Sequence, residues 1–136
     1  MHVIERVVAR WREDGLDVNP AAPQERLRSL ELRLGMPLPA DVRLYFSLAN
    51  GFSDGTCDSR HVAFWSIERI LADSDEVAVQ PGDLGLADVL INSWFVSLRK
   101  RRDGGVRIFV ENPSIELPSL TEFFDRYESA PDSLDL

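Results

Sequence analysis

Residues that could bind a metal ion or transfer a proton are few in this sequence. His2 and His61 are the only histidines, and neither has a partner at the i+4 spacing that places two ligands on one helix face. Cys57 is the only cysteine, which excludes an intrachain disulfide and a zinc site built from several thiolates of one chain. We therefore expect no metal site and no catalytic histidine.

Acidic and nucleophilic residues form no catalytic pattern either. Asp73, Asp75 and Glu76 resemble the start of a calcium loop, but the glycine at its sixth position and the glutamate at its twelfth are missing. The glycines of residues 82–85 match neither a dinucleotide fingerprint nor a phosphate loop. Cys57 has no strong general base close to it in the sequence. The glycine frame of a nucleophile elbow is missing around three serines: Ser53, Ser59 and Ser66.

The sequence therefore predicts that the protein is not an enzyme and takes no cofactor. A small hydrolase stays open as an alternative, and it would need a pocket in which titratable groups converge.

Charge is the strongest functional signal in the composition. The formal net charge is −8, and residues 50–98 contain eight acidic residues against two arginines. An acidic surface repels phosphate backbones, so we expect a basic protein as the partner and no direct contact with nucleic acid. The predicted partner-binding residues are the eight carboxylates of that segment: Asp54, Asp58, Glu68, Asp73, Asp75, Glu76, Asp83 and Asp88. Charge alone leaves open a solvated face that binds nothing.

Two further groups of residues have two interpretations each. The basic run formed by Arg99, Lys100, Arg101, Arg102 and Arg107 could bind a phosphate or an acidic patch, or it could be a solvated hairpin that discourages strand aggregation.

The aromatic residues Trp65, Trp94 and Phe95 could lie in a partner contact, because tryptophan is enriched at interface hot spots. The alternative is that they pack in the core.

Length and hydropathy indicate a single domain outside the membrane. At 136 residues, the chain has the size of one domain, 1–136. No apolar stretch approaches the roughly 20 residues of a membrane span, and Glu5 and Arg6 interrupt any leader-like run. We expect a cytoplasmic protein that is a monomer or a weak homodimer.

Three amphipathic helices are predicted before any strand. Residues 3–14 repeat apolar side chains at i, i+3, i+4 and i+7. A second helix has Pro23 at its first position and stops at Gly35. An extended Leu-Pro connector follows, and a third helix begins near Pro39. The N-terminal third of the chain is therefore expected to be helical.

Strand signals occupy the middle of the chain. Residues 62–65 form a short strand candidate, after which Ser66 caps a helical turn. The acidic stretch 73–76 is expected to be a solvated loop. Residues 88–100 and 106–111 are predicted to be strands that meet at a glycine turn. This order of elements predicts a sheet that follows the helices.

The C-terminal part returns to helix. Ser119 and Glu122 have the spacing of a capping box, and an apolar stripe leads from it to Tyr127. Phe109 lies on the outer side of its strand, which suggests that a helix or another chain covers it. We predict an α+β fold in which a small, mostly antiparallel sheet is packed by N-terminal helices and a C-terminal helix.

The helical connector also resembles a known family. Residues 31–46 read ELRLGMPLPADVRLYF and are followed by Asn-Gly-Phe at 50–52. This arrangement is similar to the SUKH superfamily pattern, in which a helix ends in Leu-Gly, a Leu-Pro connector follows, and the next helix closes on Asn-Gly. Supporting features are the helical turn at 67–70 and the terminal helix around 123–127. The segment 72–86 has no match to the family pattern.

The resemblance implies a mixed α+β domain related to the Smi/Knr cell-wall regulator of yeast. In bacteria it implies an immunity protein that neutralises a cognate toxin, in many cases a nuclease, by binding to it. It also implies an alternative, a regulatory scaffold module in cell-wall or signalling assemblies.

Overall fold

The computed structural model describes all residues from 1 to 136. It contains five α-helices, a five-stranded sheet and a terminal 3-10 turn, which confirms the predicted α+β class. Along the chain the elements are α1 Val3–Glu13, α2 Gln24–Leu34, α3 Ala40–Leu48, β1 Val62–Phe64, α4 Ile67–Val77, β2 Leu84–Val89, β3 Trp94–Lys100, β4 Val106–Val110, β5 Ile115–Leu117, α5 Leu120–Ser129 and the 3-10 turn Pro131–Leu134.

The three N-terminal helices begin and end close to the predicted positions. At the start of α1, the side chain of His2 accepts a hydrogen bond from the amide of Ile4, and Glu5 accepts one from the amide of His2. This reciprocal cap satisfies two amides that the helix leaves unpaired. Pro23 is the N-cap of α2, so the helix begins at Gln24, one residue later than predicted. Gly35 ends α2 with a φ of 82°.

The strands form an antiparallel meander in the order β1-β2-β3-β4-β5. The single strand predicted over 88–100 is wrong, because residues 90–93 form a turn that separates β2 from β3. That turn contains Asn92 and Ser93 but neither glycine nor proline, so its composition is only a weak turn signal. Strands β2 and β5 were not predicted, and β2 is buried along its whole length, so it has no alternation of polar and apolar residues.

One face of the sheet packs against helices. Phe64, Ala87, Val96 and Val110 are successive cross-strand neighbours and are all buried on this face. Trp11 of α1 lies at the centre of the aromatic part of the core. Its ring centroid is 4.7 to 6.4 Å from those of five others: Tyr45, Phe52, Phe64, Phe124 and Tyr127.

The opposite face of the sheet is covered in part by Trp65, which lies between β1 and α4. A Cβ atom at Gly85 would lie 2.7 Å from the Trp65 ring, so only glycine permits this close approach. The guanidinium of Arg69 in turn lies 4.2 Å from the centroid of the same ring. Trp65 is therefore enclosed between the sheet and the first turn of α4.

The acidic stretch 73–76 lies inside helix α4, so its prediction as a solvated loop is wrong. Ser66 caps this helix by accepting a hydrogen bond from the amide of Arg69. Ser74 is fully buried, and its hydroxyl accepts a hydrogen bond from the amide of Gly85 in β2. Tertiary contact with β2 thus extends the predicted single turn to eleven residues.

Helix α5 has the predicted buried stripe and half of the predicted capping box. The hydroxyl of Ser119 accepts a hydrogen bond from the amide of Glu122. The Glu122 carboxylate bonds Arg126 one turn later, and not the amide of Ser119. The stripe comprises four buried residues: Leu120, Phe123, Phe124 and Tyr127.

Candidate partner-binding surface

Three of the eight carboxylates predicted to form a partner-binding surface are buried. The exposed fractions of Asp58, Asp83 and Asp88 are 8%, 2% and 4%. Each carboxylate accepts hydrogen bonds from other groups of the protein. A charge buried without partners is costly, so these residues hold the fold together and do not present charge to a partner. For these three, the prediction of an exposed acidic site is wrong.

Asp83 forms a buried ion pair with Arg99 of β3. Both oxygens accept hydrogen bonds from the guanidinium, from Nε at 2.9 Å and from Nη2 at 2.8 Å. The hydrogen bond to Asp83 raises the pKa of Arg99 above its ordinary value. The guanidinium also lies 3.7 Å from the centroid of the Phe109 ring. Phe109, which was expected to lie under a helix or another chain, is thus covered by an arginine of its own sheet.

Asp58 joins the loop before β1 to helix α5. One of its oxygens accepts hydrogen bonds from the amides of Arg60 and Val62, at 2.8 and 2.9 Å. The other oxygen accepts a hydrogen bond from the hydroxyl of Tyr127. Trp11 Nε1 donates to that hydroxyl over 3.1 Å. The carboxylate is therefore fully engaged.

Asp88 holds the turn between β2 and β3. Its Oδ2 accepts a hydrogen bond from Trp65 Nε1 at 2.7 Å and lies 3.4 Å from Nη2 of Arg69. Its Oδ1 accepts a hydrogen bond from the amide of Asn92 at 3.1 Å. This carboxylate thus links the turn to α4.

The other five carboxylates are at least partly exposed, and four of them lie on α4. We call these four the acidic edge: Glu68, Asp73, Asp75 and Glu76. They lie on the half of the helix opposite the buried residues Ile67, Ile70 and Ser74. The fifth, Asp54, is exposed in the loop before β1. The structure therefore gathers half of the predicted set on one helix.

Arginines that the sequence did not indicate lie beside the acidic edge. Arg26 is 3.5 Å from Glu68, Arg33 is 2.7 Å from Asp75, and Arg69 is 3.5 Å from Asp73. Glu76 has no ion pair or side-chain hydrogen bond. Arg26 and Arg33 come from α2, which packs against α4, and their positions follow from tertiary structure.

The basic run lies at the β3–β4 hairpin, as predicted, but it is not a uniform patch. Arg99 is buried against Asp83, and Arg101 donates hydrogen bonds to both oxygens of Glu116, each over 3.0 Å. Lys100 and Arg102 are exposed. Since internal carboxylates engage Arg99 and Arg101, the run offers less free positive charge than its sequence indicates.

The aromatic residues Trp65, Trp94 and Phe95 are buried, with exposures of 1%, 7% and 9%. Packing is therefore the interpretation that the structure supports for them. Trp65 and Phe95 contact each other edge to face, with ring centroids 6.0 Å apart.

A cleft with a volume of about 810 Å³ lies between α1, α5 and the loop before β1. Tyr127 and Asp58 line it and are bonded to each other, and Arg60 lies 5.3 Å from the Tyr127 ring centroid. Burial raises the pKa of Tyr127 above its ordinary value. A buried phenol that keeps its proton and donates a hydrogen bond to a carboxylate is poorly placed to act as a base.

The remaining candidates for chemistry are His2, His61 and Cys57. His2 is a helix cap, whereas His61 and Cys57 are exposed. No group of three or more histidine, cysteine or acidic side chains is arranged to hold a metal ion. No helix is both long and apolar enough to cross a bilayer.

In comparisons with known proteins, no family model matches the chain, and no curated protein matches it significantly.

Proposed function

We propose that this protein is an immunity protein, which binds a cognate bacterial toxin in a stoichiometric complex and neutralises it without catalysis. The observation that carries the proposal is the acidic edge of α4, where Glu68, Asp73, Asp75 and Glu76 project from one rigid helix. The resemblance of residues 31–52 to the SUKH superfamily supplies the class of partner.

A helix presents these charges better than the solvated loop expected from the sequence. Ser66 and the buried Ser74 fix α4 at its start and in its second half. Binding through pre-ordered side chains loses less conformational entropy than binding through a loop that must first become ordered. The acidic edge is therefore suited to specific recognition.

The arginines beside the acidic edge do not prevent its use by a partner. The pairs to Glu68, Asp73 and Asp75 involve side chains that are between 26% and 79% exposed. Exposed pairs contribute about 0–1 kcal/mol, so lysines and arginines of a partner can replace the internal arginines at little cost. A nuclease toxin, which uses basic surface to hold nucleic acid, has the charge that complements this edge.

The proposal is tested by co-expression with the toxin encoded beside the gene. We expect the chain to restore growth and to copurify with the toxin in a complex that weakens as salt is added. Unaltered toxicity together with no complex would contradict the proposal. Capture of host cell-wall or signalling proteins in the same experiment would point to the scaffold alternative.

Reversing charge on the acidic edge should slow association with the toxin. We expect Asp75→Lys combined with Glu76→Lys to lower the association rate constant by about 10-fold or more at low salt, because steering depends on complementary charge. The effect should shrink as salt rises. Stopped-flow kinetics with the purified toxin domain measures both quantities.

The matched control is Glu13→Lys combined with Asp125→Lys. Both residues are exposed helix positions on α1 and α5, and the change in net charge is the same. If the control slows association as much as the α4 variant does, total charge and not the acidic edge governs the encounter.

A further inference from the structure

The strand register brings three loops together at one end of the sheet. Val62, Val89 and Trp94 are cross-strand neighbours, and Val110 pairs with Ile115 at the same end. We call the loops that adjoin these strand ends the turn end, which comprises residues 58–61, 90–93 and 111–114. The β3–β4 hairpin with its basic residues lies at the opposite end.

The backbone of the turn end is strained. Six residues other than glycine have a positive φ, and five of them lie here: His61, Leu90, Ile91, Asn92 and Ser114. Leu90, Ile91 and Asn92 are consecutive, with φ of 53°, 52° and 60°. This region is unfavourable for bulky residues and most of all for a β-branched one such as isoleucine. Strained backbone of this kind concentrates at ligand-binding and functional sites.

The strained turn also exposes its apolar side chains. Ile91 is 90% exposed and Leu90 is 53% exposed. Neither side chain is needed to fill the core, and glycine or asparagine would adopt the same backbone with less strain. Ile91 therefore contributes to neither solubility nor stability at this position.

The turn is held rigidly in this form. Asp88 accepts a hydrogen bond from the amide of Asn92, and Arg69 donates one to the Asn92 side chain over 3.3 Å. The amide of Leu90 donates to the carbonyl of His61 over 3.0 Å. The hydroxyl of Ser93 donates to the carbonyl of Leu90 over 2.7 Å. A partner therefore meets a pre-ordered apolar projection.

Charge at the turn end differs from the rest of the molecule. None of its exposed residues is acidic, because Asp58 is buried and Glu111 is half-buried with its carboxylate bonded to the amide of Phe95. Arg69, which braces the turn, also pairs with Asp73 of the acidic edge. The apolar projection and the acidic edge are thus contiguous, as an apolar anchor and a charged rim are in protein interfaces.

We propose that the 90–93 turn is the apolar anchor of the toxin interface, with Ile91 seated in an apolar depression whose border is basic where it meets the acidic edge. This assignment rests on the proposed function and adds to it the contact that sets the lifetime of the complex. Ile91 is the anchor, and Leu90 packs beside it.

The test is Ile91→Gly, which removes the side chain and relieves the strained backbone at once. We expect the melting temperature to rise by about 3 °C, since glycine adopts positive φ without strain. We expect affinity for the purified domain of the toxin encoded beside the gene to fall about 30-fold or more, mainly through faster dissociation. Leu32→Ala, at a position 82% exposed on α2, is the control and should leave affinity unchanged.

The possible outcomes separate the two proposals. If the wild-type chain binds the toxin and Ile91→Gly binds it equally well, the anchor is wrong and the immunity function stands. If the wild-type chain neither binds nor neutralises the toxin, both proposals fail. If the chain alone forms a dimer that Ile91→Gly dissociates, a second copy occupies the turn, which overturns its assignment to the toxin.

Discussion

At the scale of residues, buried polar groups connect parts of the chain that are distant in sequence. Asp83 pairs with Arg99, Asp88 with Trp65, and Asp58 with Tyr127. Removing one member of such a buried pair leaves the other unsatisfied, which costs about 3–5 kcal/mol for an ion pair. These acidic residues therefore stabilise the geometry of the sheet and its loops. The charge that a partner meets comes from other residues.

The two tyrosines offer a matched comparison of buried hydroxyls. Tyr127 donates to Asp58 and accepts from Trp11, so Tyr127→Phe leaves two buried groups unpaired. We expect it to lower the free energy of unfolding by about 1–3 kcal/mol in urea denaturation. The hydroxyl of Tyr45 is buried with no partner, so Tyr45→Phe should be neutral or stabilising. Equal losses from both variants would contradict this account.

At the scale of elements, α4 is where local and tertiary signals differ most. Its last two turns contain Asp73, Ser74, Asp75 and Glu76. Aspartate and serine have a lower helix propensity than alanine or leucine, and the three carboxylates place like charges close together. Contacts with β2 and the arginines of α2 stabilise the helix despite this composition. The functional edge thus depends on packing that a local pattern does not contain.

The start of α4 should be sensitive to its cap. Ser66→Ala removes the hydroxyl that accepts a hydrogen bond from the amide of Arg69, and we expect a loss of about 1 kcal/mol in urea denaturation. Ser29→Ala, in the interior of α2, is the control, because its hydroxyl bonds only a helical carbonyl and alanine is the better helix former. The cap would have no special role if both variants lost the same stability.

At the scale of the whole molecule, burial of both tyrosines affects stability at high pH. The chain has only two tyrosines, and burial is the main cause that raises the pKa of each above its ordinary value. An unfolded chain loses these protons near pH 10, whereas the folded chain keeps them. Because the folded state then binds more protons, stability is fully present below about pH 10 and falls as the pH rises above it.

The decline should reach about 1.4 kcal/mol per pH unit for each tyrosine. Urea denaturation at a series of pH values from about 9 to 11 measures the slope. The double variant Tyr45→Phe with Tyr127→Phe should lose this part of the pH dependence. Ionisation of either tyrosine near pH 10 in the folded protein, seen as tyrosinate absorbance, would contradict the expectation.

Features that depend on neighbouring residues could be predicted from the sequence. Apolar spacing and terminal signals such as Gly35 and Ser119 placed α1, α2, α3 and α5 within a few residues, because helix ends and amphipathic faces are encoded locally. The β3–β4 hairpin was recognisable for the same reason. The predicted class of fold followed from the order of these elements.

Which charges are available to a partner depends on contacts between distant parts of the chain. Asp83 and Arg99 are 16 residues apart, Trp65 and Asp88 are 23 apart, and Asp58 and Tyr127 are 69 apart. Whether a carboxylate is buried and paired depends on such distant contacts, so composition could not separate Asp58, Asp83 and Asp88 from the acidic edge. The strained turn around Ile91 also depends on contacts from outside the turn. Asp88 and the His61 carbonyl accept hydrogen bonds from its amides, Arg69 donates one to the Asn92 side chain, and no glycine marks the turn.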